Sequence, residues 1–583
     1  MEFPGSRGPS TSKQTSMDRR WLYKEPPDPS LLDALSSSIN VNPLLASLLI
    51  QRNVRDFDSA KRFFRPSLTD LHDPFLMKDM DLAVGRLKRA IDTGEKILVY
   101  GDYDVDGTTS VALVYSYLSG FYDHVAYYVP DRSSEGYGVS RAGIQWAAEN
   151  GFTLIVALDL GIKATDMVRL AGNQGIDFII CDHHTPGSEM PDAVAVLDPK
   201  RPDCPYPFKE LSGCGIGFKL VQAFARKHRD ESVIFDYLDL VVVSIASDIV
   251  SITDENRILS YHGLKKLNTS PRPGLKALMD ISGARNDLDI SNVVFMIGPR
   301  INAAGRVAHA HGAVELLVSK TEADANGFAE KVNLKNDLRR EFDTSITEEA
   351  LAMIASDERR QNAKTTVLFK NTWHKGVIGI VAARCVERYY RPTVILTESN
   401  EKITGSARSV NGFDLYHAIE QCSDLLEKFG GHKYAAGLTL DPMNLAAFEQ
   451  RFEEVVAASI TDEMLTPYID IDATVAFDTL TTKFQSVLKQ MAPFGPDNQR
   501  PIFEAADVFV MNSLTTFKDR HVRFLAGQKG NDGFFGAVGF GLIHHHERLL
   551  TGEPFRIAFS VEENTFNGTT SVQLRLHDIK FDT

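Results

Sequence analysis

At 583 residues, with 43% hydrophobic and 24% charged side chains, the chain is too long for one core and has the composition of a globular protein of three or four domains. No apolar run is long enough to span a bilayer, and five cysteines (Cys181, Cys204, Cys214, Cys385, Cys422) with no CxxC pair argue against a disulfide framework or a zinc ribbon. The net charge of −14 counts against a broad phosphate-binding surface and by itself favours a small-molecule enzyme; a nucleic-acid partner would need a local basic groove or bound cations.

Residues 1–16, rich in Gly, Pro, Ser and Thr, read as a disordered tail or tag, with Met17 as the natural start and the cytoplasm as the expected location. Residues 17–80 read as helical, with an amphipathic stretch over 43–64. Short β-branched runs follow at 97–100, 125–129, 154–158, 178–181 and 193–197, separated by helix-like segments. Their spacing predicts βαβ units and a mostly parallel sheet over 81–260. Residues 261–350 read as a helical connector, with charges at helical spacing over 333–350. A smaller α/β pattern covers 351–456, where strand-like 366–369 and 393–396 flank a helix near 380–390. From 457 to 583, short alternating strands such as 555–561 and 571–576 predict a small β-barrel. The fold class is therefore α/β with a terminal barrel.

Three of the strand-like runs end in acidic or imidazole side chains. The first enters Gly101-Asp-Tyr-Asp-Val-Asp-Gly107, the third Asp159-Leu-Gly161, and the fourth Asp182-His183-His184. Ligands of parallel sheets bind at the carboxyl ends of the strands, so these groups are predicted to share one rim. So much negative charge in one place calls for cations. A calcium loop of the EF-hand type is excluded, because its twelfth position is Leu113 and a strand precedes it. The oxygen-rich set with one or two imidazoles suits Mg2+ or Mn2+ better than zinc.

These motifs resemble the first three of the DHH phosphoesterases, and residues 241–257, with Asp248 as the carboxylate, resemble the fourth. The chain is most similar to the RecJ-like members. Arg132 to Gly138, Gly298 to Arg306, Gly405-Ser-Ala-Arg408 and Gly430 to Gly437 all look like motifs of that branch, and Gln573-Leu574 resembles its closing oligonucleotide-binding fold. The resemblance implies a DHH catalytic domain over 81–260, a DHH-associated domain over 351–456 and an oligonucleotide-binding domain over 457–583. It implies a 5′→3′ exonuclease that hydrolyses single-stranded DNA to mononucleotides with two divalent ions, Mn2+ or Mg2+, in DNA repair and recombination. A single-strand-binding protein and a helicase are the implied protein partners, with no membrane role and a monomeric state.

By the same resemblance Asp104, Asp106, Asp159, His183 and Asp248 are the metal ligands, with Asp159 bridging, and Asp102 and Asp182 stand behind them. His184 is open between a hydrogen bond to the scissile phosphate and structural support. Arg300, Asn302, Arg306, Ser406, Arg408 and His432 are the implied substrate-binding set, the arginines and Ser406 for a terminal 5′ phosphate. Arg132 and Tyr137 are placed near the cleavage point, Tyr137 either stacking on a base or packing in the core.

Glycine-rich Gly213–Phe218 completes no dinucleotide fingerprint and reads as a packing turn before a helix, Gly376–Gly379 as tight helix packing, and His544–His546 as a solvated turn. Leu160, Ser247 and residues 493–501 depart from the usual RecJ wording without removing a ligand. Two rival readings are a DHH enzyme acting on short oligonucleotides or cyclic dinucleotides, and a non-catalytic nucleic-acid-binding scaffold. The first would lack the terminal barrel and the second would have lost acidic ligands.

Overall fold

The computed structural model describes residues 18–132, 134–284, 287–307, 310–566 and 569–581. The expected tail over 1–16 and the start at Met17 lie outside the described residues. The chain divides into two units, one made of Lys61–Glu349 with Met491–Gln499, the other of the remaining described residues.

The first unit is built on a five-stranded sheet in the order Val125–Tyr128, Lys96–Gly101, Phe152–Leu158, Asp177–Cys181, Ala195–Leu197, with every pair parallel. Alternation along the strands feeds two separate cores. Ile97, Val99, Leu154, Val156 and Leu158 pack on one face; Leu98, Tyr100, Ile155 and Ala157 pack on the other. This two-sided burial explains why the strands read as unbroken apolar runs. Each buried Val, Leu or Ile among them contributes about 1.5–3 kcal/mol by leaving water. Counted within the sheet, the strand order is 2-1-3-4-5, so the order reverses between the first and third strands. That reversal opens a crevice at their carboxyl ends.

The segment expected as a connector does not stand apart in its first part. Leu267, Leu278, Val293, Ile301, Leu317 and Val332 belong to the same core as one face of the sheet. The charged stretch lies within one helix, Glu322–Ala355. The segment Met491–Gln499, expected with the barrel, also belongs to this unit. Arg257 stacks on Phe63 and donates to the carbonyls of Met491 and Ala492 at 3.0 Å, while the Ile252 N–H donates to Pro496 O at 2.8 Å.

The second unit contains a mixed five-stranded sheet and a barrel. In the sheet, Thr366–Phe369 and Thr393–Ser399 are parallel and joined through the helix Ile378–Tyr389; Lys402–Arg408, Ala435–Leu440 and Lys428–His432 continue it antiparallel. The barrel strands Phe503–Phe517, His521–Gln528, Phe534–Gly539, Thr569–Phe581 and Phe555–Phe566 close by pairing of the first with the last. Arg20–Tyr23, expected as helix, is a strand parallel to Tyr468–Ile471. Its Trp21 ring lies under Arg556 and Lys580, and its indole N–H donates to Asp578 at 2.8 Å. The amphipathic stretch is two helices, Pro43–Ile50 and Phe57–Phe64, with Asn53 left-handed between them.

Candidate active site

The crevice at the strand reversal gathers the acidic motifs. Leaving the strand Lys96–Gly101, the chain turns into the helix Val105–Ser119, and Asp104 caps it by accepting the Gly107 N–H at 3.0 Å. Asp106 lies in the first turn, where the amide dipoles favour an anion. Its carboxylate is buried and accepts three hydrogen bonds: Gly213 N–H at 2.7 Å, Cys214 N–H at 2.8 Å and the Ser244 hydroxyl at 2.6 Å. Gly213 opens the helix Gly213–His228, and a Cβ there would lie 2.7 Å from Cβ of Asp159. The glycine-rich run read as a packing turn is thus the helix N-terminus that holds Asp106. Sequence reasoning missed Gly213 and Ser244; the one signal was a glycine-rich run opening an apolar helix behind a capping serine, Ser212.

Asp159 follows the strand Phe152–Leu158 in the left-handed region (φ 61°), which short polar side chains tolerate. Asp182 follows Asp177–Cys181 and accepts the N–H groups of Ile162, His183 and His184 at 2.9, 2.8 and 3.1 Å, and the His184 Nδ1–H at 2.7 Å. It therefore shapes both strand-end turns and orients the His184 ring. His183 Nε2 lies 3.2 Å from Asp159 Oδ1, 3.5 Å from Asp248 Oδ2 and 3.8 Å from Asp106 Oδ2. Asp248 ends the helix Leu238–Ser247. Among the described residues, three overlapping groups each bring one donor atom per residue within 4.8 Å of the others: Asp106–His183–Asp248, Asp159–His183–His184 and Asp102–Asp104–Asp159.

Burial first, and mutual repulsion second, push the carboxyls of Asp102, Asp104, Asp159 and Asp248 above the usual range, Asp248 to about 8. Burial pushes the His183 imidazole down, toward the neutral form that can donate a lone pair. Asp182 stays low although it is buried, because hydrogen bonds from His184 and the backbone outweigh desolvation. Asp159 Oδ1, Asp102 Oδ1 and His183 Nδ1 are buried without a hydrogen-bond partner. Converging carboxylate oxygens, unsatisfied and repelling, with an imidazole among them, fit hard divalent cations such as Mg2+ or Mn2+. A fourth strand end, unused in the sequence reading, supplies Asp198 after Ala195–Leu197. Asp198 is fully buried, accepts the Lys200 N–H at 2.7 Å, and is pushed by burial to about 7.

Arg132 and Tyr137 reach the same rim. The Arg132 guanidinium lies 5.1 Å from the centre of the Tyr103 ring, whose edge meets Tyr137, and the Tyr137 hydroxyl is 3.3 Å from His184 Nε2. Tyr137 is 59% exposed, so packing in the core does not account for it. Burial pushes the Tyr103 phenol up to about 12 against the pull of Arg132 and Arg306, which places Arg306 near this loop. Arg300, two turns earlier on the helix Gly298–Val307, turns elsewhere: it donates to Met296 O at 2.6 Å and to Asn333 Oδ1 at 3.0 Å. Asn302 is half-buried on the same helix.

In the other unit, Ser406 and Arg408 share the strand Lys402–Arg408, and Arg408 Nη1 donates to Ser406 Oγ at 3.0 Å. Gly379, in the first turn of Ile378–Tyr389, faces them; a Cβ there would lie 2.8 Å from Ser406 Oγ and 3.0 Å from Arg408 Nη2. The Gly376–Gly379 run thus leaves space beside these two side chains. His432 is exposed at the end of Lys428–His432, where Gly430 and Gly431 pair with Gly437 and Ala436 in a strand ladder. His545 is not solvated as expected of its turn: it is partly buried against Phe581, and burial lowers its imidazole to about 4.

Comparison with known proteins places all three domains. Residues 96–245 match the DHH family N-terminal domain, 362–458 the DHHA1 domain and 471–578 the RecJ OB domain. The chain is 35% identical to the single-stranded-DNA-specific exonuclease RecJ of Bacillus subtilis (strain 168), over 96% of this chain and 70% of that protein. It is 31% identical to the enzyme of the same name from Salmonella typhimurium, over 92% and 96%. The crystal structure of RecJ with Mn2+ from Thermus thermophilus superposes with a TM-score of 0.82 at 25% identity, covering 97% of this chain and 80% of that one.

Proposed function

We propose, from the premise that the chain belongs to the RecJ family of single-stranded-DNA-specific exonucleases, that it removes nucleotides one at a time from the 5′ end of single-stranded DNA at a centre of two divalent cations. One observation carries the reading. Four carboxylates and His183 converge at the reversal of a parallel sheet, and Asp159 Oδ1 among them is buried without a hydrogen-bond partner.

Asp104, Asp106, Asp159, His183 and Asp248 would hold the cations, and Asp102 stands close enough to Asp104 and Asp159 to join them. When bound, such ions neutralise the cluster, polarise a phosphoryl oxygen and make water acidic enough to attack at neutral pH. The chain's own residues do the rest. Gly213, Cys214 and Ser244 keep Asp106 fixed, so no side-chain ordering is needed when substrate arrives. His184, fixed by Asp182 and half-exposed, would donate through Nε2 to a phosphate oxygen in its imidazolium form, which the Asp182 carboxylate favours against burial. Tyr137 and Arg132 offer an exposed ring and a cation beside the cluster, which suits a nucleotide of any sequence. Ser406 and Arg408 would bind the terminal 5′ phosphate, with His432 of the same sheet assisting. Arg300 contributes by bracing its helix.

A monomer acting in the cytoplasm, on strands opened by a helicase and coated by a single-strand-binding protein, completes the proposal, because the substrate must first be unpaired. Digestion of labelled single strands blocked at either the 5′ or the 3′ end, with Mn2+ or Mg2+, tests it. A 5′ block should stop degradation and a 3′ block should not; the reverse result, or turnover of short oligonucleotides alone, refutes it.

A further inference from the structure

The segment 131–140 brings Arg132 and Tyr137 to the acidic cluster, yet it contains two glycines in the left-handed half of backbone space, Gly136 and Gly138, and among its described residues only Val139 is anchored in the core. Two carboxylates hold it: Asp131 Oδ1 accepts the Ser134 N–H at 2.9 Å and the Ser134 hydroxyl at 3.0 Å, and half-buried Glu135 ties the ends of the turn together. Glu135 Oε1 accepts the Asp131 N–H at 2.8 Å, which closes the turn at its start. Glu135 Oε2 accepts the Tyr128 hydroxyl at 3.0 Å and also the Ser140 hydroxyl, which ties the turn to the strand behind it and to its own far end. Ser140 is already committed: its Oγ caps the helix Arg141–Glu149 through the Gly143 N–H at 2.8 Å, and its N–H donates to the Tyr100 hydroxyl at 3.1 Å. Tyr100 stacks on Tyr128 with ring centres 5.1 Å apart, so both anchors are parts of the sheet. A carboxylate accepting three donors from a strand, a helix cap and the turn itself ties both ends of the loop to the sheet.

We propose that Glu135 is a positioning residue for strand binding: through Asp131, Tyr128 and Ser140 it holds Tyr137 and Arg132 where the nucleotide next to the cations must lie. This rests on the reading that Tyr137 and Arg132 contact the strand. Glu135 itself touches no reacting atom, so its loss acts on capture of the strand and leaves the cation centre in place.

The test is a double-mutant cycle of Glu135→Ala with Tyr137→Ala on a long single strand, reading KM and kcat separately, with Mn2+ binding and thermal melting as controls. Glu135→Ala is expected to raise KM about tenfold with kcat changed no more than about threefold. The double variant is expected to match the worse single variant, since both remove the same contact. Glu135→Gln, which keeps an acceptor for the Asp131 N–H, should recover part of the loss, and it takes over the cycle if the alanine variant does not fold. Three results overturn the proposal: additive losses, a fall in kcat as large as the rise in KM, or an unchanged KM in Glu135→Ala while Tyr137→Ala raises it. An unchanged KM in Tyr137→Ala overturns instead the reading on which the proposal rests.

Discussion

The acidic cluster of the first unit and the Ser406–Arg408 corner of the second are both assigned to phosphate chemistry, but they are built in opposite ways. In the cluster Asp104, Asp106 and Asp182 are tied down by hydrogen bonds from the backbone, most of the carboxylates are buried, and burial, then mutual repulsion, pushes several of them above the usual carboxylate range. In the corner a cation and a hydroxyl bond to each other at a half-exposed edge. The first arrangement is incomplete without cations; the second is complete in water. A site that must bind a cation therefore declares itself by its cost to the fold, whereas one that binds an anion is disguised as an ordinary polar surface.

Substitutions should widen that contrast. The largest effect is expected at Asp159, which belongs to two of the three donor groups: Asp159→Ala should lower the rate of strand hydrolysis by about three orders of magnitude or more, with an unchanged circular dichroism spectrum. A folded variant with near-normal nuclease activity would remove Asp159 from the centre. Next is Ser244→Ala, which deletes one of three donors to Asp106. It should weaken Mn2+ binding by about 10- to 100-fold in calorimetry, and an unchanged affinity would show that the two amide donors suffice. Arg408→Ala should cost about tenfold in preference for a 5′ phosphate over a 5′ hydroxyl, the scale of one charge-assisted hydrogen bond. Equal loss on both substrates would take Arg408 out of end recognition.

The same contrast explains what could be read before the fold was known. Carboxylates at strand ends are legible because two local signals, a β-branched run and an acidic turn, sit next to each other in the chain, as at 97–107, 154–161 and 178–184. Asp198 has the same signature but stands alone, so it went unweighed. Gly213 and Ser244 carry no charge and reach Asp106 only through packing across more than a hundred residues, which no local pattern encodes. Likewise Arg20–Tyr23 becomes a strand only because Tyr468–Ile471, near the other end of the chain, supplies its hydrogen bonds. Arg300 shows the converse: its motif resemblance is local, whereas its bond to Asn333 comes from a different helix and is not written in the motif.

The smallest effect per step should be thermodynamic, and it follows from the sign of the carboxyl shifts. Burial and neighbouring aspartates raise Asp248 from the usual range near 4 to about 8, so between those pH values the metal-free folded protein holds a proton that the unfolded chain has released. The folded state then binds more protons, and stability must fall as pH rises through that window. Asp102, Asp104 and Asp159, raised for the same reason, act in the same direction. Removing one of these groups with Asp248→Asn should flatten the slope by about 1 kcal/mol per pH unit, somewhat under the limit for one proton because the side chain is partly exposed. Urea unfolding at pH 5 to 8 in a chelator reads this directly. Saturating Mn2+ should flatten the wild-type curve as well, since cations replace the protons. Parallel curves for wild type and Asp248→Asn would mean that the carboxylate does not feel its neighbours, and the contrast between a cluster under electrostatic tension and a satisfied corner would fail at its base.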